Sequence, residues 1–508
     1  MLLSNDHQQG SDLVFGANGA RSHRTMTGDQ ESAGSSIPPH PLGIKPLGNK
    51  YFSSGNDARD SLKGPLRTLP DEMLMQLLEY LDQRSLRILG STCRFLFANC
   101  NYDDLWKSIF LSESKLQRES SFEWRGSWRA TVLDLSPERQ AQVDCSDVFS
   151  DVLHRPFVCS HISLTPYASN IPAANEIHRL GNLSYEEFAE KWSNKPFILT
   201  DCIKAWPAYQ SWNLEVLAEL YSDVSFRAEA VDWTFRTYAQ YMANQADESP
   251  LYLFDRKFAE KMELRVGQSE GQDLAYWNPE CFGSDLFELL GAERPAHRWL
   301  ITGPERSGST FHKDPNATSA WNAVLKGQKY WIMCPGSISV PGVFVSEDSS
   351  EVTSPLSIAE WLLEFHFEAR RTPGFKEGIC RAGEILHVPS GWWHLVVNLE
   401  AGIALTQNFV PKSHLADVLS FLRDRPEQVS GFDKSVTDPY SLFADRLKEV
   451  YPDLLDDGLK QLADRQKKRR WDMVVGGDDT RQGEGSSPKK ATGFSFGFGF
   501  GDEDDEIP

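Results

Sequence analysis

Apolar residues recur along this chain in two rhythms. Between 70 and 111 they fall at helical spacing. Leu74, Leu77, Leu78 and Leu81 lie at i, i+3, i+4 and i+7 and form one stripe. Leu86, Leu89, Cys93 and Leu96 form a second, and Leu105, Trp106, Ile109 and Phe110 a short third. Pro70 and Asp71 are good first-turn residues for the first helix. From about residue 180 the rhythm shortens to β-branched and aromatic runs divided by turn residues. These predict strands over 195–200, 251–255, 297–302, 320–325, 329–334, 384–388, 394–398 and 403–409. Helices are expected between them over 185–192, 214–221 and 357–371. Beyond about 425 the helical rhythm returns. Leu454, Leu455, Leu459, Leu462 and Ala463 mark a helix that runs into Arg465 and the basic residues 467–470.

Many short strands in one region predict a sandwich or jelly roll. The chain then divides into six stretches. Residues 1–63, rich in Ser, Gly, Asn and Asp with no apolar period, are expected to be disordered. Residues 64–112 form a small helical domain, 113–180 a connecting segment and 181–425 the β-rich domain. A C-terminal helical segment covers 426–470. The Gly-, Phe- and acid-rich tail, 471–508, is expected to be disordered.

Composition narrows the function. The chain has 508 residues, 40% of them hydrophobic and 24% charged, so most of it can fold. A net charge of −20 gives no strong sign of direct nucleic-acid binding. None of the eight cysteines forms a C-x-x-C pair, which argues against a zinc ribbon and for free thiols in a reducing compartment. The run Leu13-Val14-Phe15 is too short for a signal peptide. No uncharged apolar run reaches the roughly 20 residues that span a bilayer. A soluble protein with no membrane partner is expected. The cluster 467–470 resembles a nuclear import signal, although a solvated helix end has the same composition. The expected location is nuclear, or nuclear and cytoplasmic.

The segment that carries chemistry runs from Gly303 to Asp314. On a strand, His312 and Asp314, two apart, point to one face and can reach one ion. His394, closing Pro389-Ser390-Gly391-Trp392-Trp393-His394, is the candidate third ligand. Two histidines and a carboxylate on one face of an octahedron leave open positions, as in non-haem iron(II) oxygenases. An isolated H-x-D is more often a surface pair, so the surrounding residues decide. Ser249-Pro250-Leu251-Tyr252-Leu253-Phe254-Asp255, Thr318-Ser319-Ala320-Trp321-Asn322-Ala323, Gly391-Trp392-Trp393-His394 and Thr406-Gln407-Asn408-Phe409 make the stretch 180–425 resemble the Jumonji-C family. The likeness is greatest to the branch holding the lysyl hydroxylase once described as a phosphatidylserine receptor. His387 and His366 fit a ligand role less well. His387 is expected to be packed or partly exposed, and His366 to be solvated on a charged helix.

This resemblance implies a mainly β fold with helices, a double-stranded β-helix (jelly roll or cupin) core. It implies Fe(II) and 2-oxoglutarate as cofactors. It assigns Lys329, in Gly327-Gln328-Lys329-Tyr330-Trp331, to the far carboxylate of 2-oxoglutarate; the plain alternative is an exposed strand lysine. Thr406 is implied as a hydrogen-bond partner of that carboxylate, and Asn322 as a further co-substrate residue. Ser309 stands where the related sequence has Thr, and keeps the hydroxyl. Tyr238 is a candidate phenol at the site or a core aromatic. Trp392 and Trp393 read as wall and core.

The stretch 65–111 resembles an F-box through Leu69-Pro70-Asp71-Glu72, Leu77-Leu78, Leu81-Asp82, Leu89, Cys93, Arg94 and Leu105-Trp106. It implies docking to the Skp adaptor of a cullin–RING ubiquitin ligase; the alternative is a helical cap packed on the oxygenase. Three functions compete: a hydroxylase of lysine side chains in basic protein segments, an N-methyl-lysine or -arginine demethylase, and a ligase substrate adaptor with a non-catalytic jelly roll.

Overall fold

A computed structural model describes residues 37–53, 55–114, 122–346, 352–354 and 357–475. The strands of the first half are β1 (His178–Leu180), β2 (Phe197–Leu199), β3 (Ser225–Ala228), β4 (Val231–Thr234), β5 (Leu253–Asp255), β6 (Val266–Gly267), β7 (Tyr276–Trp277) and β8 (Arg298–Gly303). There follow β9 (Gly308–His312), β10 (Ser319–Lys326), β11 (Gln328–Cys334), β12 (Phe344–Val345), β13 (Val352–Thr353), β14 (Lys376–Arg381), β15 (Ile385–Val388), β16 (Trp393–Asn398) and β17 (Gly402–Phe409).

Nine strands form one sheet in the order β1-β2-β15-β10-β17-β8-β5-β3-β4, and four form another, β14-β11-β16-β9. Val324 and Leu386 of the large sheet pack in one cluster with Trp331, Met333 and Val396 of the small one, so the two sheets face each other. This is the expected jelly roll. The predicted strands appear within one or two residues of their bounds, because β-branched runs buried on both faces need no alternation to be seen. Not among the predicted strands are β3 and β4, nor β1, β6, β7, β9, β12, β13 and β14. The first two alternate buried and exposed over only four residues, too short a run to separate from a turn. The helix expected over 357–371 is broken into Ile358–Glu364 and His366–Arg371.

Ahead of the sheets lies a helical block: α1 (Asp71–Glu79), α2 (Gln83–Gly90), α3 (Arg94–Cys100), α4 (Asp103–Ser114) and α5 (Trp128–Val132). Pro70 and two acidic residues open α1, and Asp82 caps α2 by accepting the Ser85 N–H at 2.8 Å. Leu74, Leu78, Leu86, Leu96, Leu105 and Trp106 are buried in one cluster. Leu77 departs from the predicted stripe. It sits at the stripe's edge and faces outward with Met73 and Tyr80.

Disorder does not extend through residue 63 as the composition suggested. Ile44 and Ala58 are buried. Lys45 N–H donates to the Val148 carbonyl at 3.1 Å, and Ala58 N–H to the Asp147 carbonyl at 2.8 Å. The segment is held by a distant stretch of backbone, which local periodicity cannot reveal. Residues 471–475, expected to begin the disordered tail, continue the last helix, while 1–36 and 476–508, where disorder was also expected, lie outside the described residues. At the C-terminal side the helices Leu415–Asp424, Pro439–Val450 and Pro452–Val475 pack against Leu286 and Phe287. The basic residues 468–470 share the last helix, but their side chains are outside the described set. Among the described residues, no helix is long and apolar enough to cross a membrane.

Candidate metal and co-substrate site

His312 closes β9 directly opposite His394 on β16, and the ring centroids are 4.1 Å apart. The two strands approach so closely that a Cβ at Gly308 would meet the Val396 carbonyl at 2.0 Å. A glycine at 308 is therefore a condition of the histidine pair. Asp314 lies just past the strand, not on it. Its backbone is still extended (φ −62°, ψ 147°), so its side chain returns to the side of His312. The ligand atoms of all three residues lie within 4.8 Å of one another.

Backbone carbonyls orient both rings. Nδ1–H of His312 donates to the Thr310 carbonyl at 2.7 Å, and Nδ1–H of His394 to the Trp392 carbonyl at 3.2 Å. This leaves Nε2 of each as the unprotonated nitrogen, the tautomer a metal needs. Burial pushes His312 down to about 4, with the neighbouring His394 adding to the effect and Asp314 opposing it. Burial likewise lowers His394 to about 4. Asp314 is pushed up to about 6 by burial, against His312 and a hydrogen bond from Asn408. At neutral pH the cluster is two neutral imidazoles and a carboxylate. One oxygen of that carboxylate, Oδ2, is buried with no hydrogen-bond partner. An orphaned anionic oxygen beside two imidazole nitrogens fits a divalent first-row metal.

The cluster opens into a cavity between the two sheets. Ser309, Asn322 and Thr406 all line it, as the sequence suggested. Oδ1 of Asn322 is a second buried polar atom without a partner. Asn322 and Thr406 face each other across β10 and β17. The Thr406 hydroxyl donates to the Trp321 carbonyl at 2.8 Å, so its lone pairs rather than its proton are turned to the cavity.

Lys329 is buried rather than an exposed strand lysine, at 2% exposure. Its ammonium donates to the Tyr252 hydroxyl and, at 2.8 Å, to Oδ1 of Asn398. Both partners are neutral, and burial pushes the lysine down to about 7. It reaches the cavity through Tyr252, which lines it.

Tyr238 is not at the site. Its hydroxyl is committed to the core, donating to the Thr302 carbonyl at 2.8 Å and accepting the Leu253 N–H at 3.1 Å. The phenol at the site is Tyr252. His387 is packed, with its ring among Phe188, Phe197 and Phe282, away from the metal cluster. His366 is not solvated. Its Nε2 bonds the Tyr330 hydroxyl at 3.0 Å and lies 3.5 Å from Glu377, a carboxylate that also receives Arg370. Its charged sequence neighbours Glu364, Glu368 and Arg371 are exposed, but His366 itself turns inward to Tyr330 and Glu377.

Residues the sequence reading left out complete the site. Asn408 bonds Asp314 and donates to Thr318 Oγ1 at 3.0 Å. Phe254 and Trp299, 5.3 Å apart and tilted by 31°, form one wall, and Trp331 forms another. The period of two puts Asn408 on the side of Thr406, as the sequence indicated, and the same rule would have found Phe254 beside Tyr252. Asn398 has no such signal; it is the cross-strand partner of Lys329.

Comparison with known proteins agrees with this geometry. A cupin-like domain model matches residues 185–414, and an F-box-like model matches residues 66–112. The arginine-specific demethylase JMJ22 of Arabidopsis thaliana is 36% identical over 455 residues, covering 85% of this chain and 87% of that protein. The bifunctional arginine demethylase and lysyl-hydroxylase psr-1 of Caenorhabditis elegans is 33% identical over 301 residues, 56% of this chain and 71% of the relative. The 2-oxoglutarate and iron-dependent oxygenase JMJD4 of Danio rerio is 33% identical over 165 residues, 30% of this chain and 36% of the relative.

Proposed function

Because this chain belongs to the Jumonji-C, cupin-like family of iron(II)- and 2-oxoglutarate-dependent oxygenases, we propose that it oxidises a C–H bond on a basic side chain of a protein substrate, in the first instance a lysine carbon. The observation that carries the reading is the facing pair His312–His394, with Asp314 beside it, inside a cavity between the sheets. In this reading Nε2 of each histidine and the Asp314 carboxylate hold the metal. Lys329 and Tyr252 receive the far carboxylate of 2-oxoglutarate, with Thr406, Asn322 and Ser309 along its length. When bound, the iron and 2-oxoglutarate supply an oxidant able to take hydrogen from an unactivated C–H bond. The protein's own work is to hold the reacting carbon near the metal and keep water out, which the aromatic walls Trp331, Phe254 and Trp299 support.

A second reading is N-methyl-arginine demethylation. Asp314 is the only carboxylate among the residues lining the cavity. A free ammonium is costly to desolvate there, whereas a methylated guanidinium is weakly hydrated and stacks on the Phe254–Trp299 wall. The name of JMJ22 supports the same substrate class, and that of psr-1 supports both readings. Product mass decides between them. Incubation with lysine- and methylarginine-bearing basic peptides should give one added oxygen with succinate formed in step for hydroxylation. Loss of a methyl group with formaldehyde would assign demethylation, and no succinate on any peptide with iron bound would favour a non-catalytic adaptor.

Two further assignments belong to the same proposal. The helical block docks the Skp adaptor through the exposed apolar side chains Met73, Leu77, Tyr80 and Ile88, which makes the protein a ubiquitin-ligase adaptor. The basic run 465–470 directs it to the nucleus. Adaptor co-purification with a Leu69→Asp, Pro70→Ala variant as control tests the first. A reporter fused to 452–475 tests the second.

A further inference from the structure

The helical block and the co-substrate pocket meet at one buried carboxylate. Asp247 follows the helix Phe235–Ala243 and has 8% exposure. Its oxygens accept the indole N–H of Trp128 on α5 at 3.0 Å and the hydroxyl of Tyr241 at 2.8 Å. The ammonium of Lys107 on α4 lies 3.5 Å away, its side chain only 20% exposed. Lys107 and Trp128 come from the helical block; Tyr241 comes from the oxygenase.

Two chains of bonds lead from this carboxylate to Lys329. The first runs through the backbone that carries Tyr252. The Tyr241 hydroxyl accepts the Leu251 N–H at 2.8 Å, Glu229 accepts the Tyr252 N–H at 3.1 Å and the Tyr238 hydroxyl accepts the Leu253 N–H at 3.1 Å. Three consecutive N–H groups are thus held by side chains, and the charge of Lys107 acts on Glu229 as well as on Asp247. The second chain runs through Arg306. Its guanidinium donates to the carbonyls of Asp247 and Glu248, and its own N–H donates to the Asn398 carbonyl at 2.8 Å. Arg306 holds a left-handed backbone (φ 72°), which a non-glycine residue keeps only where its surroundings over-determine it. Tyr252 and Asn398, where these chains end, are the two groups on which the Lys329 ammonium rests.

We propose that Lys107 is a positioning residue for the oxygenase, fixing Tyr252 and Asn398 from the helical block so that Lys329 is aimed at the co-substrate. The helical block is then a built-in part of the pocket's frame rather than an appended module. The physical reason is charge. Burial and the nearby Asp247 both disfavour an ionised Glu229, and Lys107, 3.5 Å from Asp247, is the cation whose charge opposes them. Without it, the loop that carries Tyr252 must move or take up a proton. The proposal rests on Lys329 and Tyr252 receiving the far carboxylate of 2-oxoglutarate.

The test uses the full chain loaded with Mn(II) and titrated calorimetrically with N-oxalylglycine, an oxoglutarate analogue that does not turn over. Lys107→Met should raise the Kd for the analogue by about 10-fold or more while Mn(II) affinity stays within about twofold, the pattern of a lost outer-shell contact. Hydrogen exchange over 249–255 should quicken, and in turnover KM for oxoglutarate should rise while kcat holds. Lys107→Arg, which keeps the cation, should restore the analogue's affinity. If Lys107→Met does not fold, Lys107→Gln, which keeps a donor for Asp247, carries the same comparison. Unchanged analogue affinity in Lys107→Met, alongside a loss in Lys329→Met, would overturn the positioning role alone. Unchanged affinity in both would overturn the reading of the co-substrate site and this proposal with it. A fall in Mn(II) affinity equal to the fall in analogue affinity would show general loosening and overturn it too.

Discussion

Replacing Lys329 by Met tests the co-substrate site most directly, and its size follows from the surroundings of the ammonium. Lys329 is 2% exposed and rests on a phenol and an amide, neither of which carries charge. A carboxylate arriving there becomes its only ionic partner. In Lys329→Met the same carboxylate enters a buried site unpaired, a loss of about 3–5 kcal/mol. That is roughly two to nearly four orders of magnitude in Kd. The wild-type protein does not realise the full gain at every pH, because burial holds this lysine down to about 7 before co-substrate binds. The sign is fixed. Below pH 7 the ammonium is already charged and binding needs no proton. Above pH 7 a proton must be taken up, at a cost of about 1.4 kcal/mol per pH unit. Wild-type Kd for N-oxalylglycine on the Mn(II) protein should therefore rise roughly tenfold per unit above pH 7. Lys329→Met should bind weakly and lack that slope, so the gap between the two proteins narrows as pH rises. Metal affinity should be nearly equal in both. A Lys329→Met protein that binds the analogue as tightly as wild type, or keeps its pH slope, refutes the assignment.

The metal cluster makes two further predictions. His312→Ala or Asp314→Ala should abolish iron binding and oxoglutarate decarboxylation while far-UV circular dichroism is retained, since each removes one of three protein ligands; wild-type decarboxylation in either would sink the assignment. Asp314 is held up at about 6 by burial, and it must be ionised to bind metal, so Mn(II) affinity should fall as pH drops through 6 and stay level from 7 to 8. Glu377 offers a test of stability away from the site. Burial alone would raise it, yet hydrogen bonds from His366, Arg370 and Tyr330 hold it down to about 2. A depressed acid stabilises the fold above its unfolded value of about 4.5 and loses that contribution as pH falls toward 2. Glu377→Gln should cost about 3–5 kcal/mol in urea unfolding at pH 7, and the gap to wild type should shrink between pH 4.5 and 3.

Much of this was legible in the sequence because the site sits on strands, where a period of two decides what faces what. His312 and Asp314 share a side by that rule, while Asn322, Thr406 and Ser309, which line the same cavity, were reached through the family resemblance. The errors have a common cause. Tyr238 and Tyr252 are both tyrosines near the right place in the chain, but one lies on a helix whose inward face is core. The choice between them needed the helix's rotation, which no local pattern supplies. His366 looked solvated because its sequence neighbours are charged, whereas Glu377, eleven residues on, is what it meets. The order of 37–63 depends on bonds to 145–150, and the role of Asn398 depends on its register with Lys329. The order of 37–63 and the role of Asn398 are long-range pairings, whereas the pairing of His312 with Asp314 is a spacing and the co-substrate residues were reached through the family resemblance.

The same distinction bears on the helical block. Its fold is local, and its stripes are visible in the chain. Which face it buries is not. Leu74 and Leu78 turn into the core while Met73, Leu77, Tyr80 and Ile88 stay outside on α1 and α2. Lys107 of α4 and Trp128 of α5 turn instead toward Asp247. A partly buried lysine–carboxylate pair adds little stability over apolar packing of the same volume, but its directional contacts constrain how α4 sits. An apolar contact alone would let α4 slide by part of a turn; an ammonium, an indole and a phenol converging on one carboxylate do not. The block therefore has two faces that do not compete. One is apolar and open. The other is polar and closed, and it fixes where Tyr252 stands.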